Sequence, residues 1–338
     1  MRFKRPSMLT IFLWALGIAI LALAAFLFVG WPSVTPNLQV GMTFSRPYAR
    51  DDLKLDPDAV LAAALDDLGI RRFRIPATWK FVEPTSTQWD FTDLDKDIAA
   101  ISDRGGTVVL AVGEKLPRWP ECWGPDWWKK LPRDEQRMYT LRYIEKVVRR
   151  YKDTPAIVEW QVENEPHFVY GDCPAPDLNF LKQEVALVRS LDPTRPVATT
   201  DSGELSAWLT FGKTVDKLGI SVYRVVRNPL IGTWRYFFIP PWFYERKGML
   251  VSLFGVHDIY VSEFQMEPWS NKPLTDTPIA DQMDTMDLKQ MQSNFWFAER
   301  MHITPVDFWG VEWWYWMKEK QGHPEFWDAA KAFYQNHK

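Results

Sequence analysis

From Leu9 to Trp31 the chain runs apolar without a single charge, and at about 1.5 Å per residue a helix of that length spans a bilayer. Past Pro36 the pattern changes. Short apolar runs alternate with longer segments of helical period, the signature of an α/β barrel rather than of separate sheet and helix regions. The runs predict eight strands, at about Leu38–Phe44, Arg72–Pro76, Thr107–Val112, Ala156–Val162, Pro196–Thr200, Ile220–Tyr223, Asp258–Phe264 and Val306–Trp313. Between and after them the periodicity predicts helices at Asp56–Leu68, Leu94–Arg104, Asp134–Tyr151, Leu178–Ser190, Glu204–Leu218, Ile279–Met301 and Pro324–Gln335. Asp56-Pro57 supplies a cap and a proline at the first turn, and Gly69 and Gly105-Gly106 end helices. Residues 227–246 fit neither period. Their aromatic and proline crowding suits a cleft wall, a flap packed on the barrel, or a segment at a membrane interface.

These patterns divide the chain into residues 1–31, a basic tip and a transmembrane anchor; residues 32–36, a linker; and residues 37–338, a barrel. Arg2, Lys4 and Arg5 precede the apolar run, so the positive-inside rule leaves the amino terminus cytoplasmic and everything after Trp31 outside, as a single-pass membrane protein. A cleaved signal peptide is the rival, with Ala22-Leu23-Ala24 as the cleavage site; the run continues past it, which favours an anchor.

Composition narrows the function. The 338 residues carry a net charge of −3, which gives no electrostatic footprint for nucleic acid. Nineteen tryptophans are many, and several fall just past strand ends, among them Trp119, Trp123, Trp127, Trp128, Trp269, Trp309, Trp313, Trp314 and Trp316. Most belong in a core, yet indoles around a barrel mouth also suit flat apolar sugar faces. The five histidines and two cysteines show no metal-ligand spacing, and no glycine-rich loop follows a strand as phosphate chemistry requires, so neither metal nor cofactor is expected. Cys122 and Cys173 follow strands 3 and 4, whose loops are neighbours; a disulfide between them and two buried thiols are both open.

The chemistry gathers where strand 4 stops at Asn164-Glu165-Pro166. Proline cannot continue the ladder and biases Glu165 toward an extended backbone, leaving a carboxylate at the strand end with an amide just before it. A loop glutamate that happens to precede proline is the bland alternative. The strand followed by Asn-Glu-Pro resembles the acid/base motif of the cellulase-like clan of retaining glycoside hydrolases, whose catalytic domains are TIM barrels. That resemblance implies a second glutamate at the end of strand 7, and Ile259-Tyr260-Val261-Ser262-Glu263-Phe264 supplies Glu263.

The resemblance covers the barrel but is specific only at strands 4 and 7. It implies Glu165 as acid/base and Glu263 as nucleophile of a double displacement on an oligo- or polysaccharide, which the anchor places in the envelope or extracellular space. It further implies Arg74 and Tyr223 as hydrogen-bond partners of the nucleophile, Asn164 on the sugar 2-hydroxyl, and Trp309 or Trp313 beneath the sugar. Glu267 competes for the nucleophile's role but lies in the loop, where it is expected to hold a sugar hydroxyl. Glu163 is secondary, and Asp201 is expected to cap helix 5. The loop Lys115-Leu116-Pro117-Arg118-Trp119-Pro120-Glu121-Cys122 matches no signature of the clan. A transglycosylase that remodels polymer, and a carbohydrate-binding barrel without turnover, are the alternatives.

Overall fold

A computed structural model describes residues 7–228 and 232–337. The basic Arg2, Lys4 and Arg5 and the tip of the 227–246 segment lie outside the described residues. Eight parallel strands close a barrel: β1 Val40–Thr43, β2 Arg72–Pro76, β3 Thr107–Val112, β4 Ile157–Val162, β5 Val197–Ser202, β6 Lys217–Val222, β7 Asp258–Gln265 and β8 Val306–Trp309. Each strand pairs with its neighbours in sequence, and β1 closes on β8 with Val40 opposite Val306. Around them lie α2 Pro57–Asp66, α3 Thr92–Ser102, α4 Arg133–Tyr151, α5 Leu178–Leu191, α6 Trp242–Ser252, α7 Leu288–Ala298, α8 Val311–Gln321 and α9 Glu325–Gln335. They follow α1, Met8–Phe28, which is long and apolar enough to cross a membrane and has no buried residue.

Strand polarity explains how the sequence makes this barrel. Apolar side chains of β2, β4 and β8, such as Phe73, Ile75, Trp160, Val162 and Phe308, are buried in the core beneath the helices. Their polar alternates therefore point into the lumen. At its lower end Arg72 donates to Asp307 at 2.8 and 3.1 Å, Lys217 donates to Glu159 at 2.7 Å, and both cations lie over the Tyr260 ring. Gly41 makes room for this layer, since a Cβ there would stand 2.1 Å from Asp307 Oδ1.

Four expectations need correcting. No helix forms over Glu204–Leu218; Lys217 and Leu218 instead begin β6. The 203–216 stretch is pinned as turns: Gly203 donates to Ser221 O, and buried Trp208, at φ 65°, donates its indole N–H to Ser202 O. The 227–246 stretch is regular after all, a hairpin of Val225–Asn228 against Gly232–Arg235 running into α6. The single helix expected over Ile279–Met301 is two, Ile279–Met283 and α7, the second restarted by Asp287, whose side chain accepts from Gln290 N. Finally, β8 ends at Trp309. Gly310 takes φ 145° with Met266 O 2.8 Å from where a Cβ would be, and the apolar run beyond it is α8.

Removing one partner of a buried pair strands the other charge. Asp307→Ala, which leaves Arg72 in the lumen with its other carboxylate neighbour, Glu159, already bonded to Lys217, should cost roughly 3–5 kcal/mol of stability. Denaturant midpoints read this directly, and a loss below about 1 kcal/mol would mean that Glu159 alone suffices.

Candidate active site

The carboxyl ends of the strands carry a cluster of buried charge built around the turn after β4. Glu163 and Glu165 both take left-handed backbone, φ 60° and 44°, so the extended conformation expected before Pro166 is not found. Tertiary hydrogen bonds override the local bias: Glu163 N donates to Val112 O, Asn164 N to Lys115 O at 2.7 Å, and Glu165 N to Thr200 Oγ1 at 2.7 Å. Such backbone costs of order 1 kcal/mol per residue and persists only where surroundings over-determine it. The two glutamates consequently do not share a face. Glu163 turns back to accept from the amides of Glu114 and Lys115, 2.7 Å each, where only a glycine at 113 leaves space. Burial, with Glu114 beside it, pushes its carboxyl up to about 8.

Glu165 accepts from the Ser221 hydroxyl on β6. Burial, reinforced by the charge of Glu263, pushes its carboxyl up to about 7, against the opposing pull of Ser221. Glu263, near the end of β7, sits in a contrasting environment. It accepts from Arg74 Nη1 at 2.7 Å and from the Tyr223 hydroxyl at 2.9 Å. Arg74 is fully buried and also donates to Gln161 at 2.6 Å and Asn164 Oδ1 at 2.7 Å, and that same oxygen accepts from Thr200. The expected residues Arg74, Asn164, Glu165, Tyr223 and Glu263 thus form one network.

The third glutamate of the cluster was not foreseen. Glu121 enters from the 113–132 loop and accepts from Asn164 Nδ2 at 3.2 Å. Burial, then the charge of Glu263, pushes it up to about 8, Lys115 opposing. Its loop has no period to read: Arg118 and Glu121 take φ 82° and 71°. Cys122, next to Glu121, is disulfide-bonded to Cys173, tying this loop to the one after β4. The only sequence signal was a charged loop whose cysteine had a partner past the next strand.

A second buried group lies beside the first. Arg118 donates to Glu267 and, at 2.8 Å, to Glu312, with its guanidinium 3.8 Å from the Tyr48 ring and 4.0 Å from the Trp309 ring. Trp309 donates to Glu267 at 2.7 Å, so Trp309 and Glu267 both reach the mouth. Trp313 does not: it lies on α8, fully buried, donating to Gln282 and packed on Phe326. Asp201 caps no helix and accepts from Ser206 and from Ser202 N. Of the strand-end indoles, Trp119 and Trp269 stand with Tyr170 and Tyr223 as an aromatic wall, ring to ring at 5.1–6.4 Å. Trp127 and Trp128 pack on Trp79 instead.

A closed parallel eight-stranded barrel with acidic groups gathered at the carboxyl ends of its strands is the architecture of a TIM-barrel enzyme. Residues 40–229 match the sequence model of the family "Cellulase (glycosyl hydrolase family 5)", more than half of the chain, and the chain belongs to that family. It is 30% identical over 121 residues to the β-galactosidase Bga of Halorubrum lacusprofundi, a match spanning 30% of this chain and 17% of that one. It is 38% identical over 81 residues to the mannan endo-1,4-β-mannosidase F of Aspergillus fumigatus, 24% of this chain and 17% of the other. The chain therefore spans about a sixth of the length of these curated relatives. Among solved structures, the Halorubrum lacusprofundi β-galactosidase superposes with a TM-score of 0.58 at 16% identity over 89% of this chain and 58% of that one. Xylanase 10B of Thermotoga petrophila, solved with xylobiose, does so at 0.56 and 14% identity over 91% and 100%. Both likenesses are of fold.

Arg118→Met leaves Glu267 and Glu312 buried together without their cation. Stability at pH 7 should fall by roughly 3–5 kcal/mol. Stranded carboxyls have folded pKa values above their unfolded ones, so the penalty grows as pH rises past the ordinary carboxylate range and shrinks toward pH 4. Denaturant midpoints at the two pH values test this; a pH-independent loss would assign Arg118 a packing role only.

Proposed function

We propose that this chain is a membrane-anchored retaining glycoside hydrolase acting on a β-linked glycan of the envelope or extracellular space. One observation carries the reading: two glutamates from β4 and β7, Glu165 half-buried and Glu263 buried, meet at one mouth in opposite environments. Glu165, pushed up to about 7, holds a proton near neutral pH, whereas Glu263 accepts hydrogen bonds from a guanidinium and a phenol. Glu165 protonates the glycosidic oxygen as Glu263 attacks the anomeric carbon, and the aglycone leaves. Glu165, now ionised, then takes a proton from water, which attacks the anomeric carbon and releases Glu263. Asn164 and Glu121 hold sugar hydroxyls beside the reacting carbon, and Trp309 and the wall of Trp119, Tyr170 and Trp269 stack on the sugar chain.

The relatives' names support a β-glycoside, since they are a β-galactosidase and a β-mannosidase. The apolar α1 and the three basic residues before it support anchoring with the barrel outside. The Cys122–Cys173 disulfide agrees with an oxidising compartment.

Incubation with a panel of activated fluoro-sugars, followed by peptide mass mapping, should place a covalent glycosyl label on Glu263. Label on Glu267 would reassign the nucleophile, and no label with any β-sugar would sink the retaining reading. The pH profile makes a separate demand. Because Glu165 must be protonated, kcat/KM should decline as pH rises through about 7. Ser221 stabilises the ionised form, so Ser221→Ala should raise that pKa and carry the alkaline limb to higher pH; a shift to lower pH would contradict the acid role.

A further inference from the structure

Outside the mouth, one surface is poorly explained by a soluble barrel. Trp242, Arg246 and Met249 on α6 and Leu253 at its C-cap fall at i, i+4, i+7 and i+11 and so line a single face. The first half of that stripe is covered by the end of α1. Arg246 donates to Phe26 O and, at 2.7 Å, to Val29 O, binding carbonyls at the carboxyl end of α1. A Cβ on Gly30 would touch both Arg246 and Trp242, and Phe28 packs on Phe243 at 5.2 Å. The second half is bare: Met249 is 57% exposed and Leu253 79%, with Phe254 beside them at 65%. Phe237, in the segment leading into α6, is exposed as well.

The rest of α1 has no buried residue, and the contacts that hold it come from its last turn and the residues just after. It therefore projects from the barrel at the α6 flank. We propose that this bare stripe rests on the surface of a lipid bilayer, with the acyl boundary covering Met249, Leu253 and Phe254. The proposal rests on the anchoring reading above: if α1 spans the bilayer, its outer end and the stripe it adjoins lie at the interface. The occupant is lipid rather than protein because the stripe continues the docking site of an apolar helix that ends there. Arg246 and Trp242 sit where a cation and an indole suit the headgroup layer. The stripe runs about 16 Å along α6, so α6 lies flat. Helices of such barrels run roughly along the barrel axis; the mouth then opens along the membrane rather than away from it.

The experiment uses the full chain in phosphatidylcholine–phosphatidylglycerol vesicles containing a lipid with a mid-chain diazirine, photolysed and mapped by peptide mass. Label is expected on peptides from Met8–Phe28 and on the peptide spanning Met249–Phe254. A paired Met249→Ser, Leu253→Ser variant should lose the second label, by tenfold or more, and keep the first. Label confined to Met8–Phe28 in the unaltered chain would leave the anchor standing and overturn the stripe. No label in Met8–Phe28 would overturn the anchoring reading itself and the orientation with it.

Discussion

The barrel centre depends on one buried cation. Arg74 has no exposure to water, so every N–H it carries into the lumen must find an acceptor or destabilise the fold by several kcal/mol. It meets this demand from two other strands, drawing in Gln161 and Asn164 at β4 and Glu263 on β7 while itself rooted in β2. That requirement fixes geometry: Asn164 can present its oxygen to Arg74 only if the chain turns sharply after Val162, which is where the left-handed residues fall. The turn that satisfies the guanidinium also swings Glu165 over to Ser221. Structural satisfaction and the presentation of a carboxyl group are therefore one constraint.

The same cation creates an asymmetry among acids. Glu263 touches Arg74, and Glu165 and Glu121 do not. Each of those two is buried near the negative charge of Glu263, and each is pushed upward, to about 7 and about 8. Burial and mutual repulsion both favour the neutral form of Glu165 and Glu121, so the mouth gathers acidic groups beside a single guanidinium without accumulating full repulsion. The second group, Glu267 and Glu312 around Arg118, repeats the arrangement nearby.

How far this was legible in the sequence follows from where each residue sits. Strands were readable because their outward alternates are apolar, and the eight predicted runs lie where the eight barrel strands form. Glu165 was readable as a position because it stands just past a strand end, whereas Arg74, in the middle of β2, and Asn164, Tyr223 and Glu263 were expected only through the family resemblance. Glu121 and Arg118 were not readable, since a loop whose backbone turns left-handed at both has no periodicity, and its pairing across the mouth is purely tertiary. The missing helix before β6 and the false extension of β8 have a common cause. Gly203 and Gly310 are each held against a neighbour's backbone, Ser221 O and Met266 O, and a close approach of that kind overrides the pattern on either side. Trp313 was misplaced for this reason alone.

The loop that escaped prediction is also the one with most freedom to set specificity. The strands and Arg74 confine Glu165 and Glu263, so changes there disturb the barrel as well as the chemistry. Glu121 and Trp119 instead ride on a loop held to the barrel by Arg118 and by the Cys122–Cys173 disulfide, so these two side chains can vary while those ties hold the loop's position. On the proposed reading, a sugar chosen by Glu121 through Asn164 would be chosen at the hydroxyl next to the reacting carbon, where a contact can strengthen as charge develops. Discrimination built there acts on the transition state, and so on rate, rather than on ground-state binding alone.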